Sequence, residues 1–346
     1  MLNILVMGAG AVGCFIGGHL AAAGHKVTLI GLSDLIPKIA ADGLALRWPD
    51  QPDKIVYPET ATTVEVPETP YDFVLLLVKS PDTATVAQLL VPLINDKTFF
   101  ISFQNGIGNE EKLVELFGAA HVLSGTLTIP ISVPELGVIA VSKAKGGLGV
   151  APLAADQPVD VLADALNEGG LFTQTYPAYR DMKWSKLLLN IINNASSAIL
   201  NMPPVEIIAD PRLFDLEIEA LREGLAVMKA QGIKPVSLPG YPVVWLARLL
   251  SARWLPAAAT RAILRPFMVS GRGTKMPSLQ IDLANNQPIS EVGVLNGSIV
   301  AAGEKIGIPT PANRALTDIL SGIVSDDLAW EDYQRQPEKL LAAVSG

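Results

Sequence analysis

Three glycines stand as Gly8-Ala9-Gly10-Ala11-Val12-Gly13, a G-x-G-x-x-G spacing, behind the apolar run 2–7 and ahead of small apolar residues to 23. In a strand–turn–helix unit each glycine has its own task. Gly8 permits the tight turn, Gly10 lets backbone approach a pyrophosphate, and Gly13 lets helix and strand come close. The helix opening at Ala11 offers free N–H groups and the positive end of its dipole to phosphate. Dinucleotide binding is the chemistry implied; the plainer alternative is a Gly-rich turn in another α/β protein. A second group is Lys186, Asn190 and Asn194, at i, i+4 and i+8. On one continuous helix these stack along one side over about 12 Å. Leu and Ile fill the positions between, so the polar groups either line a polar cleft or bond a neighbouring helix and reach water. Ser278, after Pro277, and Glu291, after Ser290, are further candidates, although Ser290-Glu291 alone reads as a helix start.

Composition narrows the chemistry. The chain has 346 residues, enough for two domains, and 49% hydrophobic against 17% charged residues allows a large core. A net charge of −8 argues against a nucleic-acid partner held through phosphates. The single cysteine, Cys14, rules out a disulfide framework and reads as a core residue. His19, His25 and His121 all lie in the first half, without metal-ligand spacing, so no metal site is expected. There is no basic-then-apolar leader before the first strand and no apolar run of membrane-spanning length. The expectation is a cytoplasmic protein with no membrane partner. The basic stretch containing Arg248, Arg253 and Arg261 reads as a solvated or interface face of a bundle.

The groups above need a scaffold. Residues 26–30 form a second strand after the helix, and a helix over 35–41 follows. Residues 48–70 read as irregular chain with short strands. The continuous apolar run 73–78 has the pattern of a central parallel strand covered on both faces. A helix over 83–93, a strand over 98–103, a helix over 109–117 and a strand at 121–123 follow. That alternation predicts a mainly parallel sheet with helices on both faces, and ligands outside the carboxyl ends of its strands, where Lys79 and Asn105 also fall. Residues 126–149 suggest a meander closing the first domain. Beyond residue 176 the chain reads as nearly all helix: 182–200, 211–231, 241–267 broken near Pro256, 291–306, and 315–324. The expected domains are 1–175, dinucleotide-binding, and 176–346, helical and catalytic.

The motifs at 8–13, Val78-Lys79, Gln104-Asn105-Gly106, Trp184-x-Lys186-x-x-x-Asn190, Pro277-Ser278 and Glu291-x-x-x-x-Asn296-Gly297 occur in the order and spacing of a known family. From residue 2 to about 324 the chain resembles the ketopantoate reductase (2-dehydropantoate 2-reductase) family. The resemblance implies an α/β Rossmann domain followed by an all-α domain like the C-terminal bundle of 6-phosphogluconate dehydrogenase. It implies reduction of a 2-oxo acid by NADP(H), with the substrate held between the domains. Lys186 matches the lysine that protonates the ketone oxygen. Glu291 matches a carboxylate near the nicotinamide and the reacting hydroxyl. Asn190, Asn194, Ser278 and Asn105 match substrate-binding positions. Gly8, Ala9, Gly10, Ala11, Val12, Gly13, Lys79, Asn105, Ile131 and Glu291 match cofactor contacts. A homodimer is compatible with this reading.

Two departures bear on specificity. The family commonly carries an arginine after the second strand, suited to the 2′-phosphate of NADP; here the residue is Leu32, with Asp34 two positions on. Some members place a substrate asparagine where this chain has Pro204, which opens the substrate to a different 2-oxo acid. The alternatives are therefore a related hydroxy-acid dehydrogenase and a non-catalytic NAD(P)-binding sensor.

Overall fold

The apolar runs become strands because each can bury both faces. In the computed structural model, which describes residues 1–31, 34–272 and 274–345, strands β1 (Asn3–Met7), β2 (Lys26–Ile30), β3 (Leu44–Arg47), β4 (Lys54–Val56), β5 (Glu59–Ala61) and β6 (Phe73–Leu76) come first. Then come β7 (Phe99–Ser102), β8 (Val122–Leu127), β9 (Ile131–Glu135), β10 (Val138–Val141), β11 (Leu148–Pro152) and β12 (Thr173–Thr175). The eight-stranded sheet has the order β12-β11-β8-β7-β6-β1-β2-β5. From β5 to β8 every pairing is parallel, whereas β11 runs antiparallel to β8. This is the doubly wound order. Its strand sequence reverses between β1 and β6, the switch point outside which ligands bind.

Strand alternation divides the core. Ile4 and Val6 of β1 face a cluster containing Cys14, Phe15 and Leu20 of the Ala11–Ala22 helix. Leu5 and Met7 face the opposite cluster, with Ala87 and Leu90 of the Thr83–Leu90 helix and Leu113 and Phe117 of the Asn109–Phe117 helix. Phe100 stacks on Phe117 with ring centroids 3.8 Å apart. Each such side chain contributes about 1.5–3 kcal/mol on burial, so both faces of the sheet must stay covered.

Several expectations need correction. Residues 126–149 are not one meander. β9 and β10 form a hairpin that joins β3 and β4 in a separate four-stranded sheet, while β11 returns to the main sheet. The proline at 130, which has no N–H for a ladder, falls between β8 and β9. β3 and the Val159–Glu168 helix were not anticipated, nor were the helices Pro204–Ala209, Ser278–Ala284 and Pro337–Ser345. The segment 182–200 is two helices, Tyr179–Ile191 and Asn194–Leu200, broken at Asn193. The segment 291–306 is a 3₁₀ turn, Glu291–Val294, and a helix, Asn296–Ile306. The central strand ends at Leu76, two residues early.

The chain divides into two compact units. The first comprises 1–104, 108–183 and 238–241; the second comprises 105–107, 184–237 and 242–346. The Tyr179–Ile191 helix thus begins in the first unit and ends in the second. Among the described residues no helix is long and apolar enough to cross a membrane.

Candidate active site

In the first unit the 8–13 loop has the geometry its glycines require. Gly8 has φ +111°, in the left-handed region, and its N–H donates to the Ile30 carbonyl at 3.0 Å. A Cβ on Gly13 would fall on the Gly8 carbonyl oxygen. A Cβ on Gly10 would meet nothing within 4 Å. Gly10 is also the N-cap of the Ala11–Ala22 helix, and it brings no side-chain cap to that terminus. Among the described residues the loop therefore leaves room above Gly10 at a helix start without a side-chain N-cap, a cradle that fits a pyrophosphate. Cys14 is a buried thiol whose pKa is pushed up to about 12 by burial, so it acts as a packing residue.

Lys79 is exposed and caps the 3₁₀ turn Ser80–Asp82 beyond β6. A buried polar network fixes the backbone on both sides of it. Gln104 Nε2 donates to the Val78 carbonyl at 2.9 Å and to Thr83 Oγ1 at 2.7 Å. Asn109 Nδ2 donates to Ser80 Oγ at 3.0 Å, and Thr83 Oγ1 to Asn109 Oδ1 at 3.0 Å. Ile131, the first residue of β9, packs its side chain on the core cluster beneath the first helix.

The sequence reading missed Lys183, one turn before Lys186. It is 3% exposed, with Nζ 3.0 Å from Glu110 Oε1, whose side chain is 2% exposed. Nζ also donates to the Gln104 carbonyl at 2.6 Å, and Ser124 Oγ donates to Glu110 Oε1 at 2.7 Å. The signal available was a lysine flanked directly by Met182 and Trp184 in a predicted helix. Nothing in the sequence named Glu110 as its partner.

In the second unit a chain of hydrogen bonds joins three of the other candidates, Asn105, Asn190 and Asn194. Asn190 Nδ2 donates to Asn105 Oδ1 at 3.2 Å. Asn194 Nδ2 donates to the Asn190 carbonyl at 3.1 Å, and Asn194 Oδ1 accepts the Leu279 N–H at 3.3 Å. Ser278, beside Leu279, is exposed and opens the Ser278–Ala284 helix. The Ile107 N–H donates to the Val294 carbonyl at 3.1 Å, so the loop carrying Asn105 packs beside the 3₁₀ turn that begins at Glu291. Gly106, at φ +81°, is required there because a Cβ would come 2.5 Å from the Val294 carbonyl oxygen. Lys186 and Glu291 are half-buried, and Lys186 lies one helical turn before Asn190. Asn194 is 1% exposed and its amide is engaged on both sides, so it braces its neighbours. Leu32, where an arginine would mark NADP, lies outside the described residues. Among the described residues no group of His, Cys, Asp and Glu could hold a metal ion.

Residues 4–154 match the family model "Ketopantoate reductase PanE/ApbA", and residues 178–324 match "Ketopantoate reductase PanE/ApbA C terminal". The chain belongs to the ketopantoate reductase family. Its members are oxidoreductases that reduce a 2-oxo acid to a hydroxy acid. The 2-dehydropantoate 2-reductase of Halobacterium salinarum is 29% identical over 323 residues, which cover 92% of this chain and 98% of that one. The crystal structure of the PanE/ApbA family ketopantoate reductase from Ralstonia eutropha JMP134 is 29% identical, covers 94% of this chain and 99% of its own, and superposes with a TM-score of 0.77. A ternary structure of D-mandelate dehydrogenase with NADH and anilino(oxo)acetate has a TM-score of 0.78 at 21% identity and shows the shared fold. Within a ketopantoate reductase fold, Lys183, Glu110 and the break at Asn193 are features that the motif pattern did not announce.

Proposed function

We propose that this protein reduces 2-dehydropantoate to pantoate with NADPH, for pantothenate biosynthesis in the cytoplasm, using 1–175 as cofactor domain and 176–346 as catalytic domain. The observation that carries the reading is the space left, among the described residues, above Gly10 at the start of the Ala11–Ala22 helix, in a chain matched by the family over both of its parts. The 8–13 loop would hold the pyrophosphate, with Lys79, Asn105, Ile131 and Glu291 as the other cofactor contacts. NADP(H) bound there supplies the hydride.

The chain's own residues supply the rest. As the ketone carbon is reduced, negative charge grows on its oxygen, and Lys186 donates a proton to that oxygen while its ammonium offsets the charge. Glu291 favours the charged form of Lys186 as water is excluded. Asn190, Asn105 and Ser278 bind the oxo acid, and Asn194 serves it by holding the Asn190 carbonyl and the Leu279 N–H.

A second reading keeps the chemistry and changes the substrate. Pro204, where some relatives have a substrate asparagine, is buried and opens the Pro204–Ala209 helix without a side-chain donor. A different small 2-oxo acid would suit that difference. Oxidation of NADPH and of NADH, followed by nicotinamide absorbance against a panel of 2-oxo acids, separates the two readings and sets the cofactor preference. Lys186→Ala should lower kcat by about 10²–10⁴-fold with cofactor binding kept. Full turnover in that variant would remove Lys186 as proton donor, and tight NADPH binding without turnover of any oxo acid would favour a sensor.

A further inference from the structure

We propose that Glu217 is a positioning residue for the oxo acid: by clamping the helix break at Asn193 it sets the place of Asn190 and of the Ser278 terminus. The inference rests on the reading of Asn190 and Ser278 as substrate contacts. Every residue in it belongs to the second unit.

Glu217 lies in the Pro211–Ala230 helix and is 2% exposed. One carboxylate oxygen accepts the Asn193 N–H at 2.6 Å; the other accepts the Ser196 hydroxyl at 2.6 Å. Asn193 has φ 51° and ψ 18°, the left-handed region that asparagine tolerates better than most residues. In an unbroken helix the Asn193 N–H would go to the carbonyl four residues back. Here Glu217 takes it instead, at a residue that is 1% exposed, where water is not a ready substitute.

The break decides what the neighbouring amides can reach. A new helix starts at Asn194, whose side chain turns to the Asn190 carbonyl on one side and the Leu279 N–H on the other. Asn190 in turn reaches Asn105. Through the Asn193 N–H and the Ser196 hydroxyl, Glu217 holds the backbone from which Asn190 and Asn194 extend.

Glu217→Gln and Ser196→Ala weaken the clamp while keeping its shape, and Glu217→Leu removes it. In Glu217→Leu, KM for the oxo acid should rise by about tenfold or more, the effect of leaving a buried donor unsatisfied. KM for NADPH should not move, kcat should fall by less than about threefold, and Glu217→Gln should lie between Leu and wild type. Asn193→Ala should give the same KM rise, and the double variant Glu217→Leu/Asn193→Ala no larger rise than the worse single. Unchanged KM in all variants, or equal losses in kcat and in both KM values, would overturn the inference. Amide exchange supplies a readout free of activity: in folded Glu217→Gln the Asn193 and Leu279 N–H groups should exchange faster than in wild type. Unchanged exchange at Leu279 overturns the inference even if every variant is inactive. A wild type that reduces no oxo acid, with exchange quickened as expected, would instead sink the functional reading alone.

Discussion

Lys183→Met tests whether the buried Lys183–Glu110 pair holds the first unit together. The ammonium sits 3.0 Å from the carboxylate, with both side chains at most 3% exposed. At that distance an effective dielectric of about 20 gives an attraction of roughly 5 kcal/mol, set against the cost of stripping water from both ions. The pair's net worth is therefore small, but breaking it is expensive. Met fills much of the same volume, leaves Glu110 buried with Ser124 as its remaining hydrogen-bond donor of those described above, and strips the Gln104 carbonyl of its 2.6 Å donor. Removing one member of such a pair costs about 3–5 kcal/mol. At about 2–4 °C per kcal/mol, the first unit's unfolding midpoint should fall by roughly 6–20 °C in calorimetry of the full chain. Adding Glu110→Gln, which keeps an acceptor for Ser124 without the charge, should restore at least about half of the loss. A single-variant shift under about 2 °C, or a double variant worse than Lys183→Met, would refute the reasoning.

Other outcomes follow from the same geometry. Gly10→Ala adds a Cβ into open space, so thermal stability should hold or rise slightly while NADPH affinity falls by about tenfold or more in a fluorescence titration. Gly13→Ala should lose both stability and NADPH affinity, because its Cβ would fall on the Gly8 carbonyl oxygen. His19 should make stability acid-sensitive. Burial, chiefly, holds its imidazole below the ordinary range, and the Trp48 indole N–H donates to its Nε2 at 3.2 Å, which requires that nitrogen unprotonated. The unfolded chain takes up that proton near pH 6.5 and the folded one only lower, so the contribution is intact above about 6.5 and stability drains as pH falls below it. His25 is shifted the same way by burial and remains in the variant as a control. The melting temperature of wild type should therefore drop more steeply than that of His19→Gln between about pH 7 and 5; parallel curves would contradict this.

Much of this molecule was legible in one dimension. The 8–13 loop, β2 and the Asn109–Phe117 helix follow from apolar period and glycine placement, which act over a few residues. The fold class followed too, because an alternation of buried strands and helices has few right-handed solutions. Motif spacing also singled out Lys186, Asn190 and Glu291 as candidates through the family resemblance, and Lys186 and Asn190 do share the Tyr179–Ile191 helix. What stayed hidden depended on partners distant in the chain. The β9–β10 hairpin looked like part of the main sheet because its alternation does not name the strand beside it, and β3 lies about ninety residues away. The segment 182–200 reads as one helix because its composition is helical throughout; it breaks at Asn193, whose N–H goes to Glu217 on another helix. Lys183 looked like one more helical lysine until Glu110, 73 residues earlier, was found against it. Short-range preference is written in neighbouring residues, but the destination of a buried charge or an orphaned N–H is settled only when the chain has packed.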